Sequence, residues 1–321
     1  MINLRAGGAI LGRHFGRVPL PIHRKIAPRS IVSVVYHAAS DERLSHIAPL
    51  HDYKTASQFM RDLEELGRRF RVVNYEDIPT GAPTNALLIT ADDGLAECFH
   101  VMRPALKNLG MSAAFFVVPG LLDNQHMTFR HKAALCLTAL ADRHDRIAVR
   151  SWLRRCGPED EAEIDRLADL LGISFAEYLR KERPYLTTDE VLTLSAEGFT
   201  VGAHSLTHRR LDVLSYSEAA DEIVNSCSKI AALTGRSSVP FAFPYGAARF
   251  PPGWLNELRR QFPVVGHLFG TKGVLQHDEL LNRVFADPPG VPAHRAIGMA
   301  YASNILRISA RKILSNSGRD G

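Results

Sequence analysis

The sequence is short of the residues that would staple or anchor a chain. Its four cysteines, Cys98, Cys136, Cys156 and Cys227, stand apart with no CxxC pair. That argues against a disulfide framework and for buried free thiols in a reducing compartment. No apolar run approaches the roughly 20 residues needed to span a bilayer. The N-terminal apolar patch Ala9-Ile10-Leu11 is cut by Arg13, His14 and Arg17, so it does not read as a signal peptide and the expected address is cytoplasmic. No GxGxxG follows a first strand and no Walker-type loop is present, which disfavours a nucleotide-binding protein. A Gly-x-Ser-x-Gly elbow is missing too, which disfavours a serine hydrolase. No basic-aromatic cluster argues for nucleic acid.

What is present fits a soluble globular protein: 321 residues, 45% hydrophobic and 23% charged, with a formal net charge of +5. The charge gathers at the ends. Residues 1–30 form a basic arm in which Arg5, Arg13, Arg17, Arg24, Lys25 and Arg29 all precede the first acid, Asp41. Residues 301–321 form a basic amphipathic tail, with Ile305, Leu306, Ile308, Ile313 and Leu314 around Arg307, Arg311 and Lys312. Such ends can rest on an anionic membrane face, here the inner one, or simply pack as solvated ends.

Between them apolar β-rich runs alternate with helical patterns. Strands are expected at 31–37, 71–73, 86–90, 113–118, 199–203, 241–243 and 264–265. Helices are expected at 55–69, about 96–108, 187–196, 217–233 and about 252–261. The alternation predicts an α/β chain with a parallel sheet or barrel and sites at strand C-terminal ends. From about 126 to 183 the texture becomes helical, with helices expected at 131–140, 159–171 and 174–181, and this stretch reads as an insertion. The remainder after 265 reads as loop-rich.

The run Ala86-Leu87-Leu88-Ile89 leads into Thr90-Ala91-Asp92-Asp93-Gly94. Two carboxylates at a strand end, followed by a glycine, can share one pocket, one holding a metal while the other takes a proton. Asp and Gly are also ordinary turn residues. Downstream, His204-Ser205-Leu206-Thr207-His208 places two imidazoles four residues apart, which on a helical turn would face the same way and share a metal. With one carboxylate they make a two-His, one-carboxylate set with positions open for water and substrate. Bound water in such a site has a pKa near 7. A third strand end carries Pro244-Tyr245-Gly246.

This ordered set resembles the polysaccharide deacetylases, the NodB-homology group of carbohydrate esterase family 4, over roughly residues 31–285 apart from the helical insertion. The resemblance implies a distorted (β/α) barrel. It implies Asp92 as general base and Asp93, His204 and His208 as ligands of a divalent metal, zinc first, or cobalt, nickel or manganese. Pro244, Tyr245 and Gly246 match the motif that lines the substrate groove and whose backbone helps hold the oxyanion. Val34-Val35-Tyr36-His37 looks like the start of one branch of the family. Ala91 replaces the family's phenylalanine. Ala242 stands where an arginine often orients the catalytic aspartate, and Arg283 resembles a downstream arginine that could take over that task. No clear counterpart of the family's Leu-x-His general acid is present. Leu275-Gln276-His277, His37, His267 and His294 are candidates, and Arg130-His131 could line the cleft.

The expected activity is metal-dependent removal of an N-acetyl or similar acyl group from a sugar in polysaccharide or glycoconjugate synthesis, with metal-bound water attacking the amide. The expected substrate is an acetylated sugar or a lipid- or nucleotide-linked saccharide. The alternatives are a deformylase or other amide hydrolase on the same site, and a catalytically decayed carbohydrate-binding protein.

Overall fold

The computed structural model describes residues 31–304 except 79–84, 142, 144–145, 248–249, 252 and 275–278. The basic arm, most of the basic tail and His277 lie outside the described residues.

Five apolar strands form the wall of a barrel: β1 (Val32–Tyr36), β3 (Ala86–Ala91), β4 (Ala114–Val117), β5 (Thr200–Ala203) and β6 (Val239–Ala242), every residue of them buried. Strands buried on both faces read as continuous apolar runs, which is the mark of a parallel sheet covered by helices. Every paired strand is parallel. The remaining strands are β2 (Arg71–Val72), β7 (Val265–Gly270), β8 (Leu281–Asn282) and β9 (Val284–Phe285). The pairing order is β8-β7-β6-β5-β4-β3-β1-β9, with β2 alongside β3. β8 and β9 are separated by Arg283 alone, so one short stretch pairs with β7 at its start and with β1 at its end. That stretch nearly closes an eight-strand barrel wrapped by helices. The segment read as loop-rich thus carries the closing strands, and residues 293–304 add a helix. Two residues per strand are too few to leave a periodic signal.

Gly202 is required on β5. A Cβ there would lie 2.6 Å from the Phe116 ring and 2.7 Å from the Pro240 carbonyl oxygen, so the neighbouring strand and ring could not approach as they do.

The helices follow from caps and stripes. α1 (Ala56–Arg69) opens on a Thr55/Gln58 capping box and buries Phe59, Asp62, Leu63 and Leu66. The helix expected over 96–108 is instead a π turn, Cys98–Met102, running into the short α2 (Arg103–Asn108). Pro104 explains this: it has no N–H to give and its ring crowds the carbonyl four residues back, which the wider turn relieves. Residues 129–182 carry α3 (Phe129–Ala139), α4 (Ile147–Leu153), α5 (Glu161–Leu170) and α6 (Phe175–Glu182). They enclose a small core of their own around Phe129, Leu137, Leu153 and Ile164. α7 (Thr188–Ala196) and α8 (Tyr216–Thr234) both start with capping boxes, and α9 (Trp254–Gln261) completes the set. Among the described residues no helix is long and apolar enough to cross a membrane.

Candidate active site

The ends of β1, β3, β5 and β6 deliver the motifs to one rim of the barrel. The Asp92 N–H bonds the Tyr36 carbonyl and the His204 N–H bonds the Val117 carbonyl, each at 2.9 Å, so the strand ladder runs straight into the site. Beyond that point the backbone turns sharply. Asp93, Ser205, His208 and Tyr245 have positive φ, and they are four of the eight non-glycine residues that do so among the described residues. Such conformations persist only where surrounding contacts hold them, and they gather at functional sites.

His204 to His208 is therefore not a helical turn. Left-handed backbone at Ser205 and His208 breaks any helix there, and a short loop brings the two imidazoles together. Buried Glu222 on α8 braces that loop. Its carboxylate accepts from the N–H groups of Leu206 (2.8 Å) and Thr207 (3.1 Å) and from the Thr207 hydroxyl (2.7 Å). The Ser205 Oγ accepts from the His208 N–H at 2.9 Å.

Asp93 Oδ1 lies 3.3 Å from His204 Nε2 and 3.1 Å from His208 Nε2. Donor atoms around a tetrahedral ion with bonds near 2.05 Å sit about 3.3 Å apart, so the spacing already suits a shared cation. The angles do not make hydrogen bonds, and Asp93 Oδ1 is buried without a hydrogen-bond partner. His204 Nδ1 is 2.9 Å from the Ala242 carbonyl oxygen. Donation to that oxygen fixes the tautomer that leaves Nε2 free as a ligand. Burial opposes ionisation of Asp93, but the charge on His208, the close imidazoles and the charge on His37 outweigh it and hold the carboxyl well below its usual range. Three donors, one an ionised carboxylate, thus fit a divalent ion of the zinc class.

Asp92 faces a different partner. Fully buried Arg283 donates to both its oxygens, at 2.6 and 2.7 Å, and to the Thr90 hydroxyl at 3.0 Å. The guanidinium lies over the rings of Phe116 and Phe269. Asp92 Oδ2 is 4.0 Å from His204 Nε2, beside the three donors but not among them.

His37, one residue past β1, joins the same rim. Its Nδ1 is 2.7 Å from Asp287 Oδ2, and its N–H donates to Asp287 Oδ1 at 2.8 Å. Burial alone would lower its pKa, but the Asp287 carboxylate raises it to about 9. Asp287 itself is held at about 2, because His37 and His51 overcome its burial. His51 Nε2 reaches the same Asp287 oxygen at 3.2 Å. Asp287 and His51 were not singled out from the sequence; positions 37, 51 and 287 share no spacing that would have flagged them.

Pro244-Tyr245-Gly246 forms a tight turn, with the Gly246 N–H bonded to the Pro244 carbonyl at 2.7 Å and φ of 115° at Gly246. The half-exposed Tyr245 ring lies 5.2 Å from that of His208. Burial and the Asp93 charge raise its phenol pKa. An open groove of about 1580 Å³ runs from His208 and Arg210 to Phe129, Lys132 and Phe175 on the helices of 129–182; Pro244, Tyr245 and Gly246, expected to line a groove, are not among its lining residues. The other candidates point elsewhere. His267 pairs with Tyr75, Arg130 with the Arg154 carbonyl, and buried His131 with Tyr185. His294 sits on the 293–304 helix.

The sequence profile of the polysaccharide deacetylase family matches residues 80–251. The chain belongs to that family, hydrolases that act on the amide C–N bonds of sugars. Among solved structures it is similar to the Streptococcus pyogenes deacetylase PplD in complex with acetate. The two share 15% identity and a TM-score of 0.58, over 85% of this chain and 99% of that one. IcaB from Ammonifex degensii matches at 15% identity and TM-score 0.52, over 86% and 98% of the two chains. A polysaccharide deacetylase from Bacillus cereus matches at 15% and 0.53, over 84% and 68%. At these identities the likeness concerns the fold. No protein of curated function matches the chain.

Proposed function

We propose that the protein removes an N-acetyl group from a sugar of a polysaccharide or glycoconjugate, with a divalent cation held by Asp93, His204 and His208. The observation that carries this reading is the division of labour between adjacent carboxylates: Asp93 beside the Nε2 atoms of His204 and His208, Asp92 gripped by Arg283. A divalent ion held by Asp93, His204 and His208 would supply Lewis acidity to the amide carbonyl and lower the pKa of bound water toward about 7.

Arg283 aims Asp92 by donating to both of its oxygens. A carboxylate has about four lone-pair positions, so two hydrogen bonds leave room for a proton from the attacking water. The Gly246 N–H is taken by the Pro244 carbonyl, and the Tyr245 N–H is the donor the turn offers to the developing oxyanion. His37, protonated and oriented by Asp287 through Nδ1, gives its other ring proton to the leaving nitrogen as the C–N bond breaks. The products are acetate and the free amine. The groove beside His208 has room for several sugar units.

Purified protein loaded with zinc should release acetate from chito-oligosaccharides or from acetylated lipid- or nucleotide-linked sugars. Asp92→Asn should lose at least 10²-fold in turnover while retaining metal and fold, and His204→Ala should lose the metal. A wild type that retains no divalent ion and releases no acetate from any of these substrates would overturn the reading.

A further inference from the structure

The described residues carry the two-histidine, one-carboxylate set twice. Asp93, His204 and His208 are one; His37, His51 and Asp287 are the other, with their donor atoms also within 4.8 Å of one another. We propose that the second set is a cation site of its own, and that filling it switches the reaction off. The switching half rests on the reading above, in which His37 is the acid.

The donors converge on one oxygen. Asp287 Oδ2 is 3.2 Å from His51 Nε2, already the separation found around a tetrahedral ion, and 2.7 Å from His37 Nδ1. The His37 contact needs to open by about half an ångström, toward the roughly 3.3 Å between donors in a zinc shell. The two imidazole rings lie 4.3 Å apart, centroid to centroid. Asp287 is buried and held in place at its other oxygen by the His37 N–H. His51 is the most exposed of the three, so an ion can enter from its side. Two imidazoles and one carboxylate select zinc, cobalt or nickel over magnesium or calcium.

The consequence for His37 is direct. Its Nδ1 carries a proton in the ion pair with Asp287. An entering cation takes that nitrogen's lone pair, and the proton leaves to solvent. The ring then holds one proton, on Nε2, and parting with it would produce an imidazolate rather than a neutral ring. His37 so ligated is a far weaker acid. The same metal would therefore support the reaction at Asp93, His204 and His208 and suppress it at His37, His51 and Asp287.

Equilibrium dialysis of the full chain against graded Zn2+, with Co2+ absorption as a parallel readout, tests the site without reference to turnover. Wild type should bind two equivalents, the second more weakly. His51→Gln should keep the first and weaken the second at least tenfold, whereas His208→Ala should lose the first and keep the second. A single equivalent in wild type, or a second one indifferent to His51→Gln, overturns the site. Acetate release by wild type should fall with the same midpoint as the second equivalent fills. Undiminished release at full occupancy overturns the switch. Were no substrate deacetylated at any zinc level, the proposed function would fail, while the dialysis result would still decide the site.

Discussion

At the residue scale the site depends on which carboxylate has which partner. The resemblance to the family's third motif places an orienting arginine where Ala242 stands, at the end of β6. Here that strand contributes its backbone instead, through the Ala242 carbonyl on His204. Arg283 arrives from the closing stretch between β8 and β9 and bonds both Asp92 oxygens. Arg283→Lys keeps the charge but cannot make the two-point contact. Its kcat should fall about 10- to 100-fold, the worth of one charge-assisted hydrogen bond (about 1.5–3 kcal/mol), with KM little changed. A steady-state comparison checks this, and a variant with wild-type kcat would remove the orienting role. The motif residues were legible because each sits at the end of an apolar run. Asp287 was not, because nothing near it in sequence marks Asp-Pro-Pro as more than a turn.

At the scale of elements, strands and capped helices were readable and irregular backbone was not. Spacing suggested that His204 and His208 share a helical face; they meet on a strained loop instead. What holds that loop is Glu222, which the apolar pattern of α8 gives no reason to notice. Glu222→Gln keeps the shape but replaces one acceptor oxygen with a donor facing N–H groups. It should cost about 1–3 kcal/mol and weaken metal binding roughly 10- to 100-fold, as loss of an outer support does. Urea unfolding and metal titration measure the two effects separately.

The stretch around α3 and α6 carries a second consequence. Buried His46 bonds the Tyr178 hydroxyl at 2.9 Å and packs against His131. Burial lowers its pKa to about 4. The unfolded chain takes up this proton from about pH 6.5 downward, the folded chain only near pH 4. Stability from this group is therefore full above pH 6.5 and declines through that window, by up to about 3 kcal/mol. Urea midpoints measured from pH 7.5 to 4 should fall for wild type, and the fall should be smaller in His46→Gln. An equal fall in both would show that His46 is not the group responsible.

At the scale of the whole molecule, the alternation of strands and helices revealed a barrel but not how it closes. The chain from Leu281 to residue 293 supplies both closing strands, Arg283 and Asp287. Arg283 and Asp287 tie it to Asp92 and His37, and a further buried ion pair in the first part of the fold grips its far end. Lys54 and Asp62 are 3.1 Å apart; Lys54 Nζ donates to the Val291 carbonyl at 2.6 Å, and Asp62 Oδ1 accepts from the Ala293 N–H at 2.9 Å. Tyr36 completes the cluster through its hydroxyl on Asp62, 3.3 Å away. Asp62→Ala strands the Lys54 charge in the interior and should cost about 3–5 kcal/mol. Removing both charges together, as Lys54→Met with Asp62→Leu, should recover much of that loss, because the desolvation penalty goes with them. Denaturant midpoints of the single and double variants test this energetic part. The functional part differs. The double variant still lacks the acceptor for Ala293 and the donor to Val291, so its closing segment is held less firmly than the rest. Its turnover should then be lost at a lower urea concentration than its far-ultraviolet circular dichroism, whereas the two losses should coincide in wild type. Coincident losses in the double variant would mean that strand pairing with β1 and β7, together with the contacts to Asp92 and His37, suffices to keep Arg283 and Asp287 in place.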